Sequence, residues 1–212
     1  MIILYIDTSS SFLYSAISKD NKIISSISEE YGQNLSEVAL PRISEMFEQN
    51  KISTTSVDKI IVVNGPGSFT GIRIGITIAK VYAWAMNIPI TTITSLEAMS
   101  LSSDNNKVHV PIINARRGYV YAAIFDENQN IIKAPKHIKF SELKEELNEI
   151  KDYEFISNDS FEDEELVLNK YVPNYEKIIS NFADKENINP HAINPDYLKL
   201  TEAEESNLWY MN

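Results

Sequence analysis

The sequence predicts an α/β fold of two units, each with apolar strands around a turn followed by a helix, and three observations lead to that class. Apolar runs that stop abruptly in turns, Ile2–Ile6 before Asp7 and Ile60–Val63 before Asn64, read as strands buried on both faces. Segments of helical length and composition, Asn34–Gln49 and Thr70–Met86, alternate with them. Beyond the polar stretch Ser102–Lys107 the chain starts again with apolar strands around a turn and then a helix. The expected division is a first unit over 1–103, a second, smaller unit over 104–190, and a tail over 191–212 that ends in a helix packing back on the first unit.

Composition narrows the function classes. A chain of 212 residues with 43% hydrophobic content can bury a real core. Its net charge of −11, from 30 acidic and 19 basic residues, argues against a broad phosphate-binding face. With no cysteine there is no disulfide or thiolate chemistry. The opening apolar run is too short for a signal segment and no later stretch has the length of a membrane span, so the expectation is a soluble cytoplasmic protein that does not enter a membrane.

Taken in order, Ile2–Ile6 is followed by the turn Asp7-Thr8-Ser9-Ser10-Ser11, an alternating strand through Leu13, Ser15 and Ile17, and a third strand through Ile23, Ile24 and Ile27. A strand, a Ser/Thr turn and a returning strand can aim N–H groups and hydroxyls at a phosphate, or can simply be a hairpin whose side chains cap their own backbone. The helix from Asn34 carries Leu35, Val38, Ala39, Ile43, Met46 and Phe47 near the 3.6 period, with Asn34 and Glu37 as an N-terminal cap pair and Pro41 as a bend if it lies past the first turn. Lys51–Asp58 connects to the central strand.

Three of the six glycines then fall at Gly65, Gly67 and Gly71, with Gly75 just beyond. Such a turn into a helix N-terminus serves either an anion or the close packing of helix on strand. The alternation Ile72, Ile74, Ile76, Ile78 permits a strand, but the length from Thr70 to Met86 and the helix formers of Ala79–Met86 favour a helix. On it Arg73, Thr77, Lys80 and Trp84 form one stripe and the remaining circumference is apolar. Asn87-Ile88-Pro89 ends it, Ile90–Ile93 is a short strand, and Thr94–Glu97 opens a helix with a capping box. The second unit reads as strands Val108–Asn114 and Tyr119–Asp126 around Ala115-Arg116-Arg117-Gly118, a third strand from Ile131, a helix Ser141–Ile150 and a brief strand at Phe155-Ile156.

The chemistry-bearing motifs are mostly absent. Gly65–Gly71 lacks the Gly-Lys-Ser/Thr of a Walker loop, since Lys80 lies well inside the helix. His109, His137 and His191 have no ligand spacing, so no metal is expected. No Ser/His/Asp set assembles and no nucleophile elbow is present. Arg73 sits where a cation gains nothing from the helix dipole, which suits a partner carboxylate or a second loop, a solvated face being the default.

Gly65-Pro66-Gly67-Ser68-Phe69-Thr70-Gly71-Ile72-Arg73-Ile74-Gly75 closely resembles the hallmark segment of the TsaB (YeaZ) family of bacterial tRNA threonylcarbamoyladenosine proteins. Ile6-Asp7-Thr8-Ser9, Leu35-Ser36-Glu37, Thr94–Ala98 and Asn114–Gly118 with Val120-Tyr121 agree in order, densely to residue 125 and thinly after it. The resemblance implies two actin-like (ASKHA, RNase H-like) domains, each a mixed β-sheet flanked by helices. It also implies a non-catalytic scaffold or activator of TsaD, the paralogue that transfers a threonylcarbamoyl group to the adenosine next to the tRNA anticodon. Ser95 and Met99 stand where TsaD holds metal with two histidines, and Asn114 replaces the family's usual Asp. Asp7, Thr8, Ser9, Ser10, Gly65, Gly67, Ser68 and Asn114 are then vestigial phosphate loops.

The implied partner-binding face comprises Leu35, Val38, Arg42 and Met46 on the first helix and Phe69, Arg73, Thr77, Lys80 and Trp84 on the second. Through it the chain is expected to form a heterodimer with TsaD and a homodimer when alone. TsaE is a further partner, tRNA is reached only through the complex, and no cofactor is required, ATP or ADP belonging to the interface with TsaE. The alternative is an actin-like ATP-dependent small-molecule kinase using Asp7 as a metal-linked acid.

Overall fold

Burial along the first strand sets the layering. Ile3 and Tyr5 face one side, Leu4 and Ile6 the other, and all four are inaccessible, as a period of two requires of a strand covered on both faces. The structure, a computed structural model, describes residues 1–103, 106–163 and 165–199. Strands β1 (Ile2–Asp7), β2 (Phe12–Lys19), β3 (Lys22–Glu30), β4 (Lys59–Val63) and β5 (Ile90–Ile93) form one sheet in the order β3-β2-β1-β4-β5. Strands β6 (Val108–Asn114), β7 (Tyr119–Phe125), β8 (Ile131–Lys139), β9 (Tyr153–Ser157) and β10 (Leu168–Lys170) form the other, in the order β10-β9-β6-β7-β8.

The two orders are one topology used twice. In each sheet the first three strands pair antiparallel, and the fourth and fifth add parallel beside the first. Each sheet is thus mixed, and the whole is an α/β arrangement of two such sheets.

Among the described residues five α-helices flank the sheets: α1 (Leu35–Gln49), α2 (Phe69–Met86), α3 (Ser95–Ser100), α4 (Phe140–Leu147) and α5 (Tyr175–Phe182). One core joins α1 and α2 to the outer face of the first sheet through Ile43, Phe47, Ile72 and Ile76. A second lies between the sheets, where α3 and α5 meet Ile3, Tyr5, Phe125 and Ile156. A third seats α4 on the far side of the second sheet through Leu143 and Leu147. Helix α2 resolves its ambiguous isoleucine alternation in favour of period 3.6: Gly71, Ile72, Gly75, Ile76, Ala79 and Ala83 are buried, and the small residues among them let the axis lie close to the sheet. Ser68 caps it by accepting from the Gly71 N–H, and Asn87 ends it in the left-handed conformation.

Some expectations need correction. Asn34 does not cap α1 with its side chain, because a 3₁₀ turn over Gly32–Asn34 runs straight into the helix and leaves Asn34 helical. Pro41 lies inside α1. The capping box of Thr94 and Glu97 forms with both bonds in place. Helix α5 and strand β10 were not anticipated, although Tyr175, Ile178, Ile179 and Phe182 have the spacing of a buried helix stripe. Buried Lys59 donates to the carbonyls of Ala183 and Lys185, capping the C-terminus of α5 from the first sheet. The expected tail helix falls largely on residues 200–212, outside the described residues; before it the chain makes a 3₁₀ turn at Pro190–Ala192. Among the described residues no helix is long and apolar enough to cross a membrane.

Candidate functional site

The site is built around the joint between α2 and the turn after β1. Ser68 N–H donates to the Ser9 carbonyl and Thr8 Oγ1 donates to the Gly71 carbonyl, each at 2.7 Å. A Cβ on Gly71 would stand 2.1 Å from the Thr8 carbonyl oxygen, and one on Gly67 2.2 Å from that of Ser9. The glycines therefore serve close packing: the helix start is pressed onto the serine turn with no room for a side chain. Gly65 and Pro66 are joined by a cis peptide bond.

A cleft of about 900 Å³ opens beside this joint, between the units. Of the expected phosphate-loop residues, Asp7, Ser9, Ser10, Gly67, Ser68 and Asn114 line it. Thr8 and Gly65 do not: Thr8 is buried beneath α2, and Gly65 lies under Asp196, whose N–H donates to the Asn64 carbonyl. Burial pushes the Asp7 carboxyl up, against the Ser9 N–H bond that pulls it down. Asn114 spends its side chain on the Ser160 carbonyl and the Arg116 N–H. Its own N–H donates to Asp159, a cleft carboxyl also pushed up by burial. Asp159 escaped the sequence reading because nothing local marks an Asp after a short strand. Ser95 donates to the Pro66 carbonyl and Met99 belongs to the core between the sheets. No group of three or more His, Cys, Asp or Glu side chains suited to a metal exists among the described residues.

The expected docking residues separate into three kinds. Leu35 and Met46 are buried, at 4% and 3% exposure, so they cannot meet a partner; they lie on the stripe of α1 that faces the sheet. Val38 is partly buried. Arg42 is bound to Glu45 on its own helix and to Glu29 and the Tyr31 hydroxyl, which tie α1 to the end of β3. On α2, Phe69, Thr77 and Trp84 are exposed, whereas Lys80 donates to the carbonyls of His191 and Ile193 and Arg73 donates to the Tyr197 hydroxyl. Arg73 thus has the second loop that its position suited. Helix α2 further exposes Val81 and Met86, and α1 exposes Leu40.

The chain is similar to known proteins in sequence and in fold. The family model for TsaD, tRNA N6-adenosine threonylcarbamoyltransferase, matches residues 21–173. The tRNA threonylcarbamoyladenosine biosynthesis protein TsaB of Bacillus subtilis is 29% identical over 222 aligned positions, covering 96% of both chains. That of Buchnera aphidicola subsp. Schizaphis graminum is 30% identical over 157, covering 71% of this chain and 74% of its own. The chain belongs to the TsaB (YeaZ) family. The solved YeaZ structure from Pseudomonas aeruginosa superposes with a TM-score of 0.75 at 18% identity, covering 92% of this chain and 100% of that one, a likeness of fold. In this TsaB-family chain the hallmark segment is therefore the joint itself: Gly65–Gly75 fixes α2 against the β1 turn, and the exposed stripe of α2 projects from it.

Proposed function

We propose that this chain is a non-catalytic subunit of the tRNA threonylcarbamoyladenosine system that docks a TsaD-type transferase through α2 and the adjoining edge of α1. The observation that carries the proposal is the apolar exposure of α2, with Val81 59% and Trp84 66% accessible and Phe69, Met86 and Leu40 of α1 also open. Large side chains gathered on two adjacent helices mark a protein interface more often than a solvated face. Homodimerisation would use the same face and so compete with TsaD, and TsaE with its ATP or ADP joins as a third component. The non-catalytic reading is supported by Ser95, which is bound to the Pro66 carbonyl, by Met99, which is packed in the core, and by Asn114, whose side chain is taken up by the Ser160 carbonyl and the Arg116 N–H.

Trp84→Asp tests it. The exposed position leaves the fold intact, shown by an unchanged thermal unfolding midpoint, while a charge at an aromatic anchor costs about 2 kcal/mol or more of binding. Co-purification with TsaD from the same cell and tRNA modification in the reconstituted system are both expected to fall sharply. Full retention of both by a folded variant would refute the docking face.

A further inference from the structure

We infer that Arg73 is a pre-organised socket for a carboxylate of the docked protein, and that the chain's own segment around Tyr197 is one wall of that socket. The inference rests on the reading that α2 is a docking face and adds the polar anchor within it. The Arg73 guanidinium carbon lies 3.8 Å above the centre of the Phe69 ring and 6.0 Å from that of Tyr197. Those two rings stack on each other at 5.4 Å and 23°, and Arg73 Nε donates to the Tyr197 hydroxyl at 2.8 Å. Phe69 is 53% and Tyr197 39% accessible, so this arrangement stands on the surface.

The contrast with Arg42 shows what is left over. Arg42 uses Nε and both terminal nitrogens within the chain, on Tyr31, Glu45 and Glu29. Arg73 uses Nε alone, and no carboxylate pairs with its terminal nitrogens among the described residues. Stacking fixes the plane of the guanidinium in advance, so a long side chain that ordinarily loses rotamer freedom on binding has already lost it. A fixed fork with free terminal N–H groups matches a carboxylate by two parallel bonds.

The surroundings select a protein acid over a phosphate. Lys80, the other cation of the stripe, is bound to the carbonyls of His191 and Ile193, so one open charge remains. Beside it stand Phe69 and, farther along the helix, Val81 and Trp84. One cation in an apolar face complements an Asp or Glu set in an apolar helix surface, whereas a phosphate wants several donors.

The test measures affinity of the full-length chain for TsaD at two salt concentrations, for wild type, Arg73→Ala, Arg73→Lys, Tyr197→Phe and Trp84→Asp. Arg73→Ala is expected to weaken binding about 10-fold to 100-fold and to remove most of its salt dependence. Arg73→Lys recovers less than half of the loss on a logarithmic scale, because a point charge cannot form the fork. Tyr197→Phe, which keeps the ring and removes the hydroxyl, weakens binding about threefold to tenfold. If Arg73→Ala binds within twofold of wild type while Trp84→Asp does not bind, the socket is refuted and the docking face stands. If Trp84→Asp also binds normally, the docking face falls and the socket with it. Loss of inorganic phosphate or ADP binding in Arg73→Ala with docking intact would likewise overturn the assignment.

Discussion

The two units share a strand order and differ at one connection. Between β4 and β5 the first unit inserts α2, of 18 residues; between β9 and β10 the second passes from Ser157 to Leu168 with no helix among its described residues. Helices α1 and α4 occupy matching places after the third strand of each sheet, yet α4 is finished for water. Lys136–Glu146, Lys139–Glu142 and Lys144–Asp163 ion pairs surround it. Helix α2 has no acidic residue at all, and of its two charges Lys80 is held by tail carbonyls while Arg73 gives only Nε to the Tyr197 hydroxyl. A repeated sheet therefore does not dictate a repeated surface. The added helix, which the sheet topology does not need, is the element with an unspent apolar face.

If α2 is what distinguishes the first unit, its seating should be the least forgiving point of the chain. Gly71→Ala is expected to destabilise the protein by roughly 3 kcal/mol or more, because its Cβ would meet the Thr8 carbonyl, a backbone atom tied into the β1 turn. The matched substitution in the second unit is Gly118→Ala at the β6–β7 hairpin. There φ is +76° with nothing within 4 Å, so only backbone strain remains, and the expected cost is about 1 kcal/mol. Urea unfolding of the two variants decides it: equal losses would mean that the joint is not close-packed.

The same contrast explains what the sequence made legible. The first sheet could be read because its central strands β1 and β4 are continuous apolar runs, the second all but β10 from strands around a turn, and α2 because the segment from Thr70 to Met86 is too long for a strand and ends in helix formers. The glycine turn stayed ambiguous between anion binding and packing, since both uses demand the same residue. Only the 2.1 Å and 2.2 Å approaches of Gly71 and Gly67 to neighbouring carbonyls decide it. Exposure of the expected residues was legible on α2, where Trp84 and Thr77 are open, and illegible on α1. There Leu35 and Met46 sit on the sheet-facing stripe, and periodicity fixes which residues share a face without fixing which way that face points. Asp159 and the tail's hold on Arg73 and Lys80 depend on contacts across long separations in sequence, which no local pattern encodes.

Helix capping gives a smaller separation of the units. Thr94 closes a complete capping box on α3, whereas Lys139 at the start of α4 makes no side-chain cap. Thr94→Ala should therefore cost about 1 kcal/mol, and Lys139→Ser should add up to about 1 kcal/mol, less whatever its ion pair with Glu142 contributes. Thermal unfolding of both variants checks the signs, and a gain from Thr94→Ala would show that the box is not formed in solution.

The smallest effect lies in the cleft and changes with pH. The first unit ends β1 in Asp7; the second ends β6 in Asn114 and carries its carboxyl across the sheet at Asp159. Burial raises both carboxyls above the ordinary value, so the folded chain holds each proton more tightly than the unfolded chain does. Their burial is therefore tolerated fully below the unfolded value of about 4 and costs stability as pH rises through the folded value. Asp7→Asn, which can still accept the Ser9 N–H bond, should melt higher than wild type at pH 8, with the gap closing toward pH 4. Asp159→Asn should behave in the same direction by less, because Asp159 is partly exposed while Asp7 is only 2% accessible. Melting temperatures across that range measure both. A variant at position 7 that melts below wild type by the same amount at every pH would mean that the Asp7 shape, and not its charge, is what the joint beneath α2 requires.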